Sequence, residues 1–223
     1  MQILHEDNHL LVVAKPAGLL VQGDASGDET LLDQAREYLR VKYAKPGKVY
    51  LGLVHRLDRN VSGVVVLART SKAAGRLSRQ FRDGTVVKTY LGVVAGEPPD
   101  GSVELRSWLA AQGDARGRTR AASEPFAGAK EALLNLAVRE RGAGTALVEV
   151  HPVTGRRHQI RAQLALAGWP LLGDVKYGAS GRLPGRRIAL HAWKIAFDHP
   201  VGGRPLLIVC NLPVDWPWPN PEY

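Results

Sequence analysis

Between two strand-like apolar runs the sequence sets a single acid among several arginines, in His55-Arg56-Leu57-Asp58-Arg59-Asn60-Val61-Ser62-Gly63. An aspartate in that company has two readings. It is an ion-paired surface carboxylate, or the arginines keep it ionised beside a polyanion that would otherwise repel it, ready to act as nucleophile or base. A second basic group, Thr154-Gly155-Arg156-Arg157-His158-Gln159-Ile160-Arg161, meets no acid before Asp174. If these residues open a helix, the free N–H groups and the guanidinium forks suit phosphate, and the positive charges stand at the end of the dipole where they do least for stability. His158 by itself is more often a structural hydrogen-bonder than a catalyst. Lys88-Thr89-Tyr90 begins a further apolar run, where a tyrosine either packs or stacks on an extruded base with its hydroxyl available for proton transfer.

Other chemistries fit less well. The order His-Arg-Leu-Asp is not the His-Arg-Asp of a kinase catalytic loop, and neither a Gly-rich phosphate loop nor Asp-Phe-Gly accompanies it. Arg56 and Arg59 flank His55 and Asp58 and would oppose a bound cation, so no metal site is expected. Ser62 and His55 lack the remaining member of a nucleophilic triad. A phosphoryl-transfer or hydrolytic enzyme is therefore disfavoured, which leaves another enzyme that acts on a polyanion such as nucleic acid, or a non-catalytic protein that binds one.

The whole chain has the composition such a site needs. Its 223 residues are 45% hydrophobic and 23% charged, with 30 Lys+Arg against 21 Asp+Glu, a net charge of +9. A chain of this length buries roughly 70% of its unfolded surface and builds a core without staples. The single cysteine, Cys210, excludes an internal disulfide framework, argues against structural zinc and points to a reducing cytoplasm. No stretch approaches the ~18 apolar residues of a membrane helix, and the N-terminus does not read as a signal peptide. The charge is unevenly spread: from Arg56 to Lys88 stand eight basic and two acidic residues, an excess of +6. Clustering of that kind is the footprint expected for nucleic acid, the plain alternative being a solvated helix face.

Apolar, β-branched runs at 10–14, 49–54, 64–68, 89–94, 146–150, 188–192 and 206–209 are strand-length. Three helices are expected. One is capped by Thr30 and runs through Tyr43, one is capped by Ser71 and ends at Gly84, and one runs from about Arg156 to Leu166. Strands and helices do not alternate regularly, so the fold is an α/β protein of the α+β kind rather than a doubly wound one. Residues 112–128 read as an exposed loop or hairpin, and 213–223 as a Pro/Trp-rich tail, within a single domain over 1–223.

Together the motifs resemble the RluA-type RNA pseudouridine synthases. The resemblance rests on Lys15-Pro16-Ala17-Gly18 with Val21-Gln22, His55-Arg56-Leu57-Asp58 with Ser62-Gly63, Lys88-Thr89-Tyr90, and Thr154 to Arg161, in that order, followed by Gly173-Asp174 and Lys176-Tyr177-Gly178. It implies a mixed, largely antiparallel sheet with flanking helices and RNA in a basic cleft. It also implies isomerisation of uridine to pseudouridine without metal or organic cofactor, in the short form that lacks an N-terminal S4 module. Asp58 matches the family's catalytic aspartate, Tyr90 its active-site tyrosine and Arg161 the basic residue that pairs with the aspartate. Arg56 matches the arginine that helps displace the target base, and His55 and Ile160 line the same site. The remaining expected RNA contacts are Arg59, Lys88, Arg156, Arg157 and His158. Val61 stands where the family usually has Thr, which removes a hydroxyl near the loop. The expected partner is a ribosomal or transfer RNA stem-loop, met by a cytoplasmic monomer.

Overall fold

The computed structural model describes residues 1–111 and 117–219. They fall into two compact units, one of residues 1–87 and 192–212, the other of 88–111, 117–191 and 213–219.

The first unit is built on β1 (Gln2–Glu6), β2 (Leu10–Lys15) and β4 (Ser62–Ala68), each antiparallel to the next. A two-residue strand, β3 (Gly52–Leu53), pairs with the end of β4. Every residue of β4 is buried, which is why Val64–Ala68 reads as a continuous apolar run rather than an alternating one. Gly63 within it has φ 126°, and a Cβ there would lie 2.4 Å from the Ala192 carbonyl, so only glycine fits at this position. Strand β10 (Leu190–Asp198) passes into this unit from Ala192 and pairs with β11 (Pro205–Val209).

Two helices cover these strands. Helix α1 (Leu31–Lys42) starts at Thr30, whose hydroxyl accepts from the Asp33 N–H while the Asp33 carboxylate accepts from the Thr30 N–H. Its buried residues are Leu31, Ala35 and Leu39. Helix α2 (Ser71–Asp83) buries Ala73 and Leu77 and ends at Gly84 in the left-handed conformation. The cap is Thr70 rather than Ser71: the Thr70 hydroxyl accepts from the Ala73 N–H.

The second unit is an antiparallel sheet in the order β5 (Val87–Ala95), β9 (Thr145–Pro152), β8 (Lys130–Gly142), β6 (Ser102–Ala110), β7 (Arg120–Ala122). Strand β7 falls inside the stretch expected as a loop or hairpin, of which 112–116 lie outside the described residues. Helix α3 (Gln159–Leu166) packs on β6 and β7, with Ala162 against Leu109 and Ala132. Trp216 and Trp218 of the C-terminal segment pack against Val93, Leu147 and Ala189, and the Trp218 indole donates to Glu140 at 2.7 Å. The fold is α+β with a mixed, largely antiparallel sheet, as the sequence indicates.

Candidate active site

In the first unit the segment His55–Asn60 joins β3 to β4 and carries Asp58, which is half-buried. Its backbone is fixed by a residue far away in sequence. Lys15, the last residue of β2, is 1% exposed, and its ammonium donates to the carbonyls of Pro16 (2.9 Å), Leu19 (2.8 Å) and Arg59 (3.0 Å). Three acceptors require three N–H donors, which only the protonated amine supplies. Burial pulls Lys15 down to about 7, the Asp58 carboxylate opposes that fall and Arg59 adds to it. The Arg59 carbonyl also accepts from the Gly18 N–H at 2.7 Å, and the Arg59 guanidinium returns a bond to the Gly18 carbonyl at 2.9 Å and pairs with Asp28 at 2.7 Å. Lys15-Pro16-Ala17-Gly18 is thus a cradle for the residue after Asp58.

The other loop residues sort themselves by burial. His55 stacks on Phe81 of α2, with ring centroids 4.9 Å apart, and its Nε2 accepts from the Val66 N–H at 2.9 Å. Leu57 and Val61 are buried, and the Val61 N–H closes a turn on the Asp58 carbonyl at 3.1 Å. Arg56 is exposed.

In the second unit Tyr90 lies on β5 opposite Val150, and Lys88, two residues earlier, shares its face of the strand. Burial lowers the Lys88 ammonium below the usual lysine range. The Arg156–Arg161 group differs from the sequence expectation. The helix begins only at Gln159, because His158 has φ 51° and breaks the helical path before it. Arg156 and Arg157 therefore sit in an exposed turn ahead of the helix. The buried Gln159 side chain ties that turn down, accepting from the Thr154 hydroxyl (2.8 Å) and the Arg156 N–H (2.9 Å) and donating to the Leu133 carbonyl (3.0 Å). The Arg156 guanidinium donates to the Glu131 carbonyl at 3.1 Å.

Ile160 and Arg161 are buried in the first turn of α3. The Arg161 guanidinium grips Asp174 with both arms of its fork, Nε to Oδ2 at 2.7 Å and an Nη to Oδ1 at 2.9 Å, and Asp174 is itself 1% exposed. The Tyr177 ring lies 5.0 Å from the same guanidinium. Its hydroxyl meets His158 Nδ1 at 2.8 Å and accepts from the Thr119 N–H at 2.8 Å. Asp174 and Tyr177 are the members of this site that the sequence names only as a motif. The one signal for Asp174 is that it is the first acid after the basic group.

Against this geometry, a family model described as RNA pseudouridylate synthase matches residues 9–166, spanning β2 to α3 and both basic groups. The chain belongs to that family. Such an enzyme is an isomerase that converts uridine in RNA to pseudouridine. Among relatives of this synthase, the ribosomal large subunit pseudouridine synthase D of Xylella fastidiosa is 35% identical, over 96% of this chain and 67% of its own length. The large subunit pseudouridine synthase C of Pasteurella multocida is also 35% identical, over 96% of this chain and 64% of its own. The chain thus spans about two thirds of the length of the curated relatives it matches. A solved human structure, RNA pseudouridylate synthase domain containing 4, superimposes with a TM-score of 0.76 at 28% identity, covering 96% of this chain and 89% of that one. In this pseudouridine synthase Lys15 holds the backbone of the residue after Asp58, and Asp174 holds the Arg161 guanidinium. Among the described residues, no helix is long and apolar enough to cross a membrane.

Proposed function

We propose that this synthase isomerises uridine in ribosomal RNA, and that Asp58 is the carboxylate that performs the reaction. The observation that carries the proposal is the anchoring of the Asp58 loop. A buried ammonium that ties the Arg59 carbonyl to the carbonyls of Pro16 and Leu19 holds the residue after Asp58 in one place, which is the preorganisation a reacting group requires. The isomerisation breaks C1′–N1, turns the uracil and joins C5 to C1′, so C5 loses its hydrogen and N1 gains one. Asp58 starts the sequence by adding to C1′ or by removing the 2′ proton. Either course uses one carboxylate, unlike the pair of an ordinary glycosidase.

The other roles follow the family resemblance. The target nucleotide leaves its stack, Arg56 helps to fill the vacated place, and Tyr90 stacks on the flipped uracil. Arg161 supports the ionised aspartate, with His55 and Ile160 lining the site. Lys88, Arg156, Arg157 and His158 receive the RNA backbone in a basic cleft, and Arg59 serves through the loop it ties down. The enzyme works as a monomer in the cytoplasm.

Ribosomal RNA is chosen because the relatives above carry large-subunit names. Mapping pseudouridines in total RNA from cells with and without the chain tests the choice. Sites lost from large-subunit RNA support it, and sites lost only from transfer RNA stem-loops would replace it with that substrate.

A further inference from the structure

Helix α2 carries four cations outside the candidate active site. Lys72, Arg76, Arg79 and Arg82 are all exposed, and their spacing of four, three and three residues puts them along one face. Over ten residues of helix that face is about 15 Å long. Among the described residues none of the four is in an ion pair; Arg76 donates instead to the Pro200 carbonyl at 2.6 Å. The neighbouring helix α1 is the internal control. Its cations are matched by acids: Arg36 with Asp33 (3.5 Å), Arg40 with Glu37 (2.6 Å) and Lys42 with Glu6 (2.8 Å). It also has an acid in its first turn, whereas α2 has none there and puts Lys72 in that place.

Stability therefore does not explain the α2 stripe. Lys72–Arg76, Arg76–Arg79 and Arg79–Arg82 are like-charge neighbours at i,i+4 or i,i+3, which weaken a helix, and Lys72 opposes the dipole at the N-terminus. The helix is nevertheless held firmly. Gln80 exchanges two hydrogen bonds with the backbone of Asp198, at 2.8 and 2.9 Å, and Phe81 stacks on His55 at the head of the Asp58 loop. A rigid row of unneutralised cations, seated by its opposite face on the loop that carries Asp58, fits a polyanion that passes beside that loop.

We propose that the outer face of α2, through Lys72, Arg76, Arg79 and Arg82, is a docking rail for the sugar-phosphate backbone of the RNA substrate, outside the target nucleotide. The proposal rests on the RNA-modifying function and adds a surface to it. Contacts of this kind are independent of sequence and fix the register of the RNA, while the target nucleotide is handled elsewhere.

The test compares two triple variants of equal charge change, K72Q/R79Q/R82Q on α2 and R36Q/R40Q/K45Q on and just after α1. Binding of a large-subunit ribosomal RNA transcript is measured as a function of salt, alongside pseudouridine formation. Three lost phosphate contacts make the slope of log K against log salt shallower by about 2 to 3. The α2 variant is expected to show that change and a KM at least tenfold higher, and the α1 variant is expected to keep the wild-type slope. Equal slopes and KM values for the two variants, with the wild type active, would overturn the rail and leave the isomerase reading standing. A wild-type protein that neither bound RNA at low salt nor isomerised it would overturn both. Thermal melting of each variant separates lost contact from lost fold: glutamine is a good helix former, and removing the α2 repulsions should leave the melting temperature equal or higher.

Discussion

Lys15 and Arg161 are both buried cations beside a candidate catalytic function, and they are held in opposite ways. Lys15 meets backbone carbonyls from two loops, so its point charge acts as a knot that ties 16–19 to Arg59. Arg161 meets a carboxylate through both arms of its fork, which fixes the plane of the guanidinium. The ammonium therefore sets where a loop runs, and the ion pair sets how a charged group is aimed. Each arrangement has its own vulnerability. Removing the ammonium also removes a buried charge, so the net loss of stability is moderate while the loop loses its anchor. Removing the carboxylate takes both arms of the fork off their acceptor inside the protein and breaks a buried ion pair, which is among the costlier single changes a protein can suffer.

The largest stability effect is accordingly expected for Asp174→Asn. Breaking the buried pair should cost about 3–5 kcal/mol, read as a lower midpoint in urea unfolding. Lys15→Met should cost less, about 1–3 kcal/mol, yet lower kcat by at least about a hundredfold, since a misplacement of the order of 1 Å at the reacting group has that effect. A Lys15→Met protein less stable than Asp174→Asn, or one with wild-type kcat, would break the contrast between knot and aim.

A smaller effect comes from an ion network of the first unit outside the candidate site. Burial would raise Glu6, but bonds from Lys42, Tyr43 and Tyr38 outweigh it and pull the carboxyl down to about 2, from an ordinary value of 4.5. A carboxyl held lower in the folded state than in the unfolded one adds stability above about pH 4.5, and this is lost as the pH falls towards 2. Glu6→Gln should flatten that part of the stability profile and leave isomerisation at neutral pH unchanged. An undiminished acid transition in the variant would assign it to other groups.

How much of this is legible in the sequence depends on whether the signal is local. Thr30 with Asp33 three residues on, and Gly84 after the last apolar residue of α2, are local cap chemistry, and both helix ends fall there. Strand β4 is legible because burial on both faces leaves no polar interruption. By contrast β8 is hidden, although it is 13 residues long: Lys130, Glu131, Arg139, Glu140 and Arg141 mask an inner row of Ala132, Leu134 and Leu136. Strand β6 is masked in the same way by Glu104 and Arg106, which are charged because their face is exposed. The start of α3 is misplaced because nothing in Arg156-Arg157-His158 announces a left-handed residue, and the bond that holds the next residue, from Gln159 to the distant Leu133 carbonyl, is tertiary. Of the site, Asp58 and Arg161 stand out as charge anomalies. The bonds of Lys15 to Arg59, 44 residues away, and of Arg161 to Asp174 are tertiary, and no local pattern encodes them.

The central claim is that Asp58, on a loop fixed by Lys15, is the reacting carboxylate. Its most direct test follows from the C5 hydrogen that must leave as C5 joins C1′. With large-subunit RNA labelled with tritium at uridine C5, the wild type should release label to water. Asp58→Asn should bind the RNA with wild-type affinity and release none. Release at the wild-type rate by Asp58→Asn would contradict the account.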